Sequence, residues 1–115
     1  MNAKVELAWV PVCKMEDLLP NLGVCAKVED KQVAIFKIIE NGVANIFAID
    51  NHDPFSDANV LSRGIVGDLK GHTVVASPIY KQHFDLVTGQ CLEDDVTIPV
   101  YQVRENNGQI EVMIA

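Results

Sequence analysis

Short apolar segments, alternating or β-branched and cut off by turn signals, run through almost the whole chain, and they leave little choice but a mostly β fold. Only Lys14–Leu19, closed by Pro20, has the look of a helical turn. The predicted strands are Leu7–Val12, Gly23–Val28, Gln32–Ile38, Ala44–Asp50, Thr73–Ala76, His83–Leu86, Val100–Arg104 and Gln109–Ile114. Asn41-Gly42 and Asn107-Gly108 each place side by side two residues that tolerate positive φ, so both are expected to turn antiparallel hairpins. The run Val33-Ala34-Ile35-Phe36 is apolar on both faces, which suits a strand covered by a second sheet or by a partner.

The 115 residues make one domain, residues 1–115, able to bury roughly two thirds of the surface its unfolded chain exposes. With 49% apolar and 22% charged residues, an ordinary soluble domain is expected. Sixteen acidic against nine basic side chains give a net charge of −7, the wrong sign for a nucleic acid backbone or an anionic membrane surface. Lys4 and Glu6 precede a short apolar run broken by Pro11, and no apolar stretch reaches membrane-spanning length. The expected location is the cytoplasm. Cys13, Cys25 and Cys91 are an odd number without CxxC or CxH spacing, so buried free thiols are expected rather than a disulfide set or zinc site.

Residues 51–60 break the strand pattern. Asn51-His52-Asp53-Pro54 and Ser56-Asp57-Ala58-Asn59 surround one aromatic, Phe55, and the segment reads as a long surface loop. Phe55 is either exposed for a purpose or tucked beneath its own loop. No catalytic pattern appears elsewhere. Ser77 lacks a G-x-S-x-G elbow, and Gly64-Ile65-Val66-Gly67 has neither the Walker pattern nor the dinucleotide fingerprint. His52, Asp53, His72 and His83 lack the spacing of a metal site, and the histidines read as scattered surface residues.

Framework segments on either side of two loops carry a resemblance. Phe47-Ala48-Ile49 precedes the first loop, Leu61-Ser62-Arg63-Gly64-Ile65-Val66 follows it, and Phe84-Asp85-Leu86-Val87-Thr88-Gly89 follows the second. This arrangement resembles the Rieske iron–sulfur-protein (ISP) domain, in which Cys-x-His and Cys-Pro-x-His loops bind a [2Fe–2S] cluster. The resemblance implies an all-β antiparallel sandwich bearing a ligand-loop subdomain at about residues 51–86. Matching by position puts Asp53 and Phe55 at the first ligand pair and Ser77 and Tyr80 at the second, with Pro78 kept between them.

The four cannot make the ligand set of a cluster at neutral pH. Phe55 has no donor atom, Ser77 would have to ionise to an alkoxide, and Tyr80 to a phenolate with an ordinary pKa near 10. Asp53 alone could bind a metal, and one carboxylate does not hold a cluster. The site therefore reads as degenerate.

From Trp9 onward the chain resembles most closely the small subunit of cytoplasmic NAD(P)H-dependent assimilatory nitrite reductase, notably through Ile49–Phe55, Val60–Gly64, Val75–Pro78 with Lys81-Gln82, and Cys91–Asp94. That resemblance implies a partner large subunit carrying FAD, sirohaem and a [4Fe–4S] cluster, which reduces nitrite to ammonia with electrons from NAD(P)H. This chain would carry no cofactor and no catalytic or metal-ligating residue of its own.

The aromatic and proline side chains of the two loops would fill the space of a cluster or dock on the large subunit. The candidate contact residues are Pro54, Phe55, Arg63, Pro78, Tyr80 and Lys81. Between Val60 and His83 the basic Arg63, Lys70 and Lys81 face only Asp68, and that local positive charge could orient docking. Glu93-Asp94-Asp95 reads as a solvated loop. Three readings stand: an accessory nitrite reductase subunit, which is favoured; a working Rieske [2Fe–2S] ferredoxin, which the four residues oppose; and a stand-alone interaction or regulatory module on a Rieske fold.

Overall fold

The computed structural model describes residues 8–114, so the predicted start of the first strand at Leu7 lies outside the described residues. Among the described residues twelve strands form four antiparallel sheets. The largest is ordered β10-β4-β3-β2, with β2 at Gly23–Val28, β3 at Lys31–Glu40, β4 at Val43–Asp50 and β10 at Val100–Tyr101. A second sheet is ordered β1-β12-β11, from Ala8–Lys14, Gln109–Ile114 and Val103–Asn106.

The doubly apolar run explains how these layers hold together. Val33, Ala34, Ile35 and Phe36 are all fully buried on β3, the strand flanked by β2 and β4. Alternation along the strand sends Val33 and Ile35 into a core with Ile110, Val112 and Ile114 of β12. It sends Ala34 and Phe36 into the opposite core with Leu61, Val75 and Phe84. One strand thus supplies both cores, and the second of them is the floor beneath the two loops.

Both predicted hairpins form as two-residue turns, closing Glu40↔Val43 and Asn106↔Gln109. Asn41 and Gly42 have φ of 52° and 78°, and Asn107 and Gly108 have 53° and 81°, as a type I′ turn requires. Pro11 lies on β1, which among the described residues pairs only with β12, and the register shifts between Pro11 and Cys13. An edge strand with a bulge is where a residue lacking an N–H is tolerated. The predicted helical turn is one 3₁₀ turn, Met15–Asp17.

Three sequence expectations need correction. Val100–Arg104 is not one strand: Val100-Tyr101 pairs with β4, then the chain crosses at Gln102 and Val103–Asn106 pairs with β12. Gly64-Ile65-Val66-Gly67, read for framework and phosphate-loop motifs but not as a strand, runs into β7 (Ile65–Leu69), paired with β8 (His72–Ala76). β8 pairs in turn with β9 (His83–Asp85) to complete the small sheet. Residues 51–60 are not simply a surface loop. They contain a short hairpin of β5 (His52–Asp53) and β6 (Ala58–Asn59), and Asn51 and Asp53 are buried at its base.

Asn51 ties that hairpin to the main sheet. Its amide donates to Gln32 Oε1 at 3.2 Å and to the Asn59 carbonyl at 3.1 Å, and its Oδ1 accepts from the Ser62 N–H at 2.7 Å. The 3₁₀ turn Leu61–Arg63 follows and ends at Gly64. A Cβ at Gly64 would lie 2.4 Å from the Ala76 carbonyl oxygen, so the L-S-R-G turn needs glycine for close backbone approach rather than for an unusual φ. Among the described residues no helix is long and apolar enough to cross a membrane.

Candidate functional site

The first loop turns through Pro54–Asp57, closed by the Asp57 N–H donating to the Asp53 carbonyl at 2.9 Å, with Asp57 at φ 55°. The second turns tightly from Ser77 to Gln82. Ser77 N–H donates to the Gln82 carbonyl at 2.9 Å, Lys81 N–H donates to the Ser77 carbonyl at 3.1 Å, and Lys81 adopts φ 68°. Asp53 and Ser77, the first residue of each loop, are both completely buried and meet. The Ser77 hydroxyl donates to Asp53 Oδ2 at 2.5 Å, the same oxygen accepts from Ser56 Oγ at 2.9 Å, and Oδ1 accepts from the Phe55 N–H at 3.0 Å.

Burial alone would raise the Asp53 pKa. The hydrogen bonds from Ser77, the Phe55 amide and Ser56 outweigh it, and the carboxyl group is held below its ordinary range. The buried charge is therefore solvated by the loops themselves. Both oxygens already serve as acceptors, so the one candidate metal-binding carboxylate of this site is engaged in holding the loops together.

Phe55 and Tyr80 part company. Phe55 is half-buried, its ring centroid 6.1 Å from that of the core residue Phe84 at an interplanar angle of 42°. Tyr80 is 61% exposed and Ile79 beside it 46% exposed. Pro54, Arg63 and Lys81 are exposed and Pro78 is half-buried. Lys81 Nζ reaches only the Pro78 carbonyl, at 3.1 Å, and among the described residues neither Arg63 nor Lys81 pairs with a carboxylate. The loops thus combine a polar, sealed interior with an exposed tip of apolar and basic side chains.

Residues 8–113 match the family of the Rieske-like [2Fe-2S] domain. Over 105 residues the chain is 42% identical to the nitrite reductase (NADH) small subunit of Escherichia coli strain K12, spanning 90% of this chain and 95% of that protein. The chain belongs to the Rieske-like small-subunit family of nitrite reductases. The solution structure of the nitrite reductase [NAD(P)H] small subunit from Erwinia carotovora superposes on this Rieske-like domain with a TM-score of 0.77 at 45% identity, covering 93% of this chain and 82% of that one. The nitrite reductase [NAD(P)H] large subunit of Klebsiella oxytoca also matches, at 34% identity over 90% of this chain but only 11% of its own length.

The donor set of this Rieske-like domain does not fit a [2Fe–2S] cluster. At the positions that the resemblance assigns to ligands stand a carboxylate with both oxygens occupied, a hydrocarbon ring packed on the core, a buried hydroxyl spent on that carboxylate, and an exposed phenol. Among the described residues, no three His, Cys, Asp or Glu side chains converge into a metal-binding set.

Sequence reasoning missed several polar pairings in the Rieske-like domain. Its histidines lie apart from one another, as expected, but each meets an acid: His52 Nε2 and Asp57 Oδ1 at 3.3 Å, His72 Nδ1 and Asp85 Oδ2 at 2.7 Å, His83 Nδ1 and Glu93 Oε2 at 2.9 Å. Glu93 also accepts from the His83 N–H at 2.7 Å, so the start of the acidic run clasps β9 instead of being wholly solvated. Of the three thiols only Cys91 is buried; Cys13 is half-buried and Cys25 exposed, which corrects the expectation of three buried thiols. Nothing in the sequence spacing signals these contacts, which depend on how the turns and strands fold together.

Proposed function

We propose that this chain is the accessory small subunit of a cytoplasmic NAD(P)H-dependent nitrite reductase that reduces nitrite to ammonia in nitrate assimilation. It holds no iron–sulfur cluster and passes no electrons. FAD, sirohaem and a [4Fe–4S] cluster belong to the large subunit, on which this chain docks and which it organises or stabilises.

The observation that carries this reading is the bond between Asp53 and Ser77. It closes, without a metal, the two loops that a cluster would otherwise join, on a chain that spans 95% of a nitrite reductase small subunit. The match of the same domain to a stretch of a nitrite reductase large subunit supports an association between the two, since one chain there contains both. The exposed tip, with Pro54, Tyr80, Arg63 and Lys81, has the apolar and basic character of an interface anchor.

The test is to purify the large subunit alone and titrate in this chain, following complex formation and nitrite-dependent NADH oxidation. Saturable binding that raises activity, with no iron or sulfide on this chain by elemental analysis and no Rieske signal by EPR, is the expected result. An EPR-active cluster on this chain would restore the ferredoxin reading. Absence of both binding and effect would favour a stand-alone module.

A further inference from the structure

Both type I′ turns join an exposed asparagine to an exposed glycine, and Asn41-Gly42 and Asn107-Gly108 are the only Asn-Gly pairs in the chain. Such a pair is chemically reactive. A main-chain nitrogen can attack the side-chain carbonyl carbon of the asparagine before it, and glycine, lacking a Cβ, obstructs that approach least. At Asn21, Asn45, Asn51 and Asn59 the next residues are Leu22, Ile46, His52 and Val60, which crowd the nitrogen. Among the described residues no backbone carbonyl accepts from the Gly42 or Gly108 N–H.

The two turns are held differently. The Gly108 carbonyl accepts from the Met15 N–H at 2.8 Å, which ties the second turn to the 3₁₀ turn Met15–Asp17, whereas Gly42 makes no such bond among the described residues. Ring closure needs the asparagine to leave the left-handed conformation of the turn, φ 52° at Asn41 and 53° at Asn107, so the reaction proceeds from a locally opened turn. A hydrogen bond of ordinary strength shifts such an opening equilibrium roughly two- to tenfold. The turn at Asn41 is the one left free to open.

We propose that Asn41 is a site of spontaneous deamidation, a slow self-modification of the β3–β4 hairpin that needs only water. The Gly42 nitrogen loses its proton and bonds to Asn41 Cγ, the side-chain nitrogen leaves as ammonia, and water opens the resulting five-membered imide at either carbonyl. Position 41 then holds aspartate or, with one more carbon in the backbone, isoaspartate; nothing is oxidised or reduced. Asn41 lines a cleft of about 400 Å³ whose other polar side chains are Asn21, Glu40, Asp68 and Thr73, and Thr73 Oγ1 donates there to Glu40 Oε1 at 3.3 Å. A new carboxylate adds a third negative charge to that cleft. The longer backbone of isoaspartate no longer fits a two-residue turn closing Glu40↔Val43, at the end of the strand that supplies both cores.

The experiment ages the 115-residue chain in mildly alkaline buffer and follows each asparagine by peptide mass mapping, with isoaspartate separated from aspartate by chromatography. Wild type is compared with Asn41→Gly and Met15→Pro. Glycine suits a positive φ and has no amide to lose, and proline is tolerated at the first position of a helical turn after the extended Lys14 (φ −89°, ψ 150°). Conversion at position 41 is expected to run roughly two- to tenfold faster than at position 107. Aged wild type should lose Tm and aged Asn41→Gly should not, while Met15→Pro should raise conversion at position 107 and leave position 41 as it was. Conversion at Asn107 as fast as at Asn41, or conversion at Asn41 no faster than at Asn45, overturns the proposal. A rise at both positions in Met15→Pro overturns the role of the Met15 bond, and conversion at position 41 with Tm unchanged overturns the effect on the hairpin.

Discussion

The Ser77 hydroxyl and the Asp53 carboxylate, 24 residues apart in sequence, form a fully buried hydrogen bond that fastens the first loop of the Rieske-like domain to the second. Each group makes the other affordable in the interior. An ionised carboxylate without donors, or a hydroxyl without an acceptor, would be costly at zero exposure.

Removing one member should therefore cost more than an average neutral hydrogen bond. Ser77→Ala is expected to destabilise the domain by about 1.5–3 kcal/mol, because it takes a donor from a buried charge. Asp53→Asn keeps one acceptor and loses the charge, and should cost about 1–3 kcal/mol. Urea unfolding of both single variants and the double variant checks the pair. The double should cost clearly less than the sum, since the two residues lose the same bond.

Acid should weaken the fold through three carboxylates. Burial works to raise the pKa values of Asp53, Asp85 and Glu93, but hydrogen bonds from Ser77 and the Phe55 amide, from the Val87 amide and His72, and from His83 leave all three lowered. A carboxyl group whose folded value is depressed contributes stability that is fully present above its unfolded value, near 4, and is lost as pH falls through the folded value. Unfolding free energy should be flat from about pH 7 to pH 5 and fall below about pH 4. Asp53→Asn should show a shallower acid limb, and an unchanged limb would contradict the role given to Asp53.

The two aromatic positions should separate stability from binding. Phe55→Ala removes a ring packed on Phe84 and should cost about 1–3 kcal/mol, less than the loss of a wholly buried phenylalanine because Phe55 is only half-buried. Tyr80→Ala, at an exposed site, should stay within about 0.5 kcal/mol of wild type. If the loop tip docks on the large subunit, Tyr80→Ala should lower affinity without lowering Tm. Thermal melts and subunit titrations read the two effects independently.

Gly64→Ala should be poorly tolerated although its φ of −73° suits any residue. The added Cβ would fall 2.4 Å from the Ala76 carbonyl oxygen and 2.6 Å from Val75 Cγ2, forcing β7 away from β8. A loss of more than about 1 kcal/mol is expected. Gly67→Ala, with open space, should be neutral or slightly stabilising, and comparing the two by urea unfolding tests whether packing, and not strand propensity, decides.

Much of the fold was legible because its signals are local. Asn-Gly pairs favour the positive φ values that both hairpins adopt, and the unbroken apolar run Val33–Phe36 marks a strand buried on both faces whatever lies beyond it. The framework segments around residues 47–66 and 84–89 were enough to identify the family. β7 was missed because Gly67 interrupts its apolar pattern, and a glycine in a strand has no local signature that distinguishes it from one in a turn.

What each loop residue does was decided only by the tertiary structure. The resemblance placed Asp53, Phe55, Ser77 and Tyr80 at the ligand positions, and donor chemistry left only Asp53 able to bind a metal, too little to hold a cluster. It could not separate the buried pair, Asp53 and Ser77, from the half-buried Phe55 and the exposed Tyr80. Burial and hydrogen-bond partners depend on which distant segments the sheets bring together. A carboxylate has the same chemistry in any sequence, and it becomes a clasp between two loops only where folding excludes water and supplies three donors.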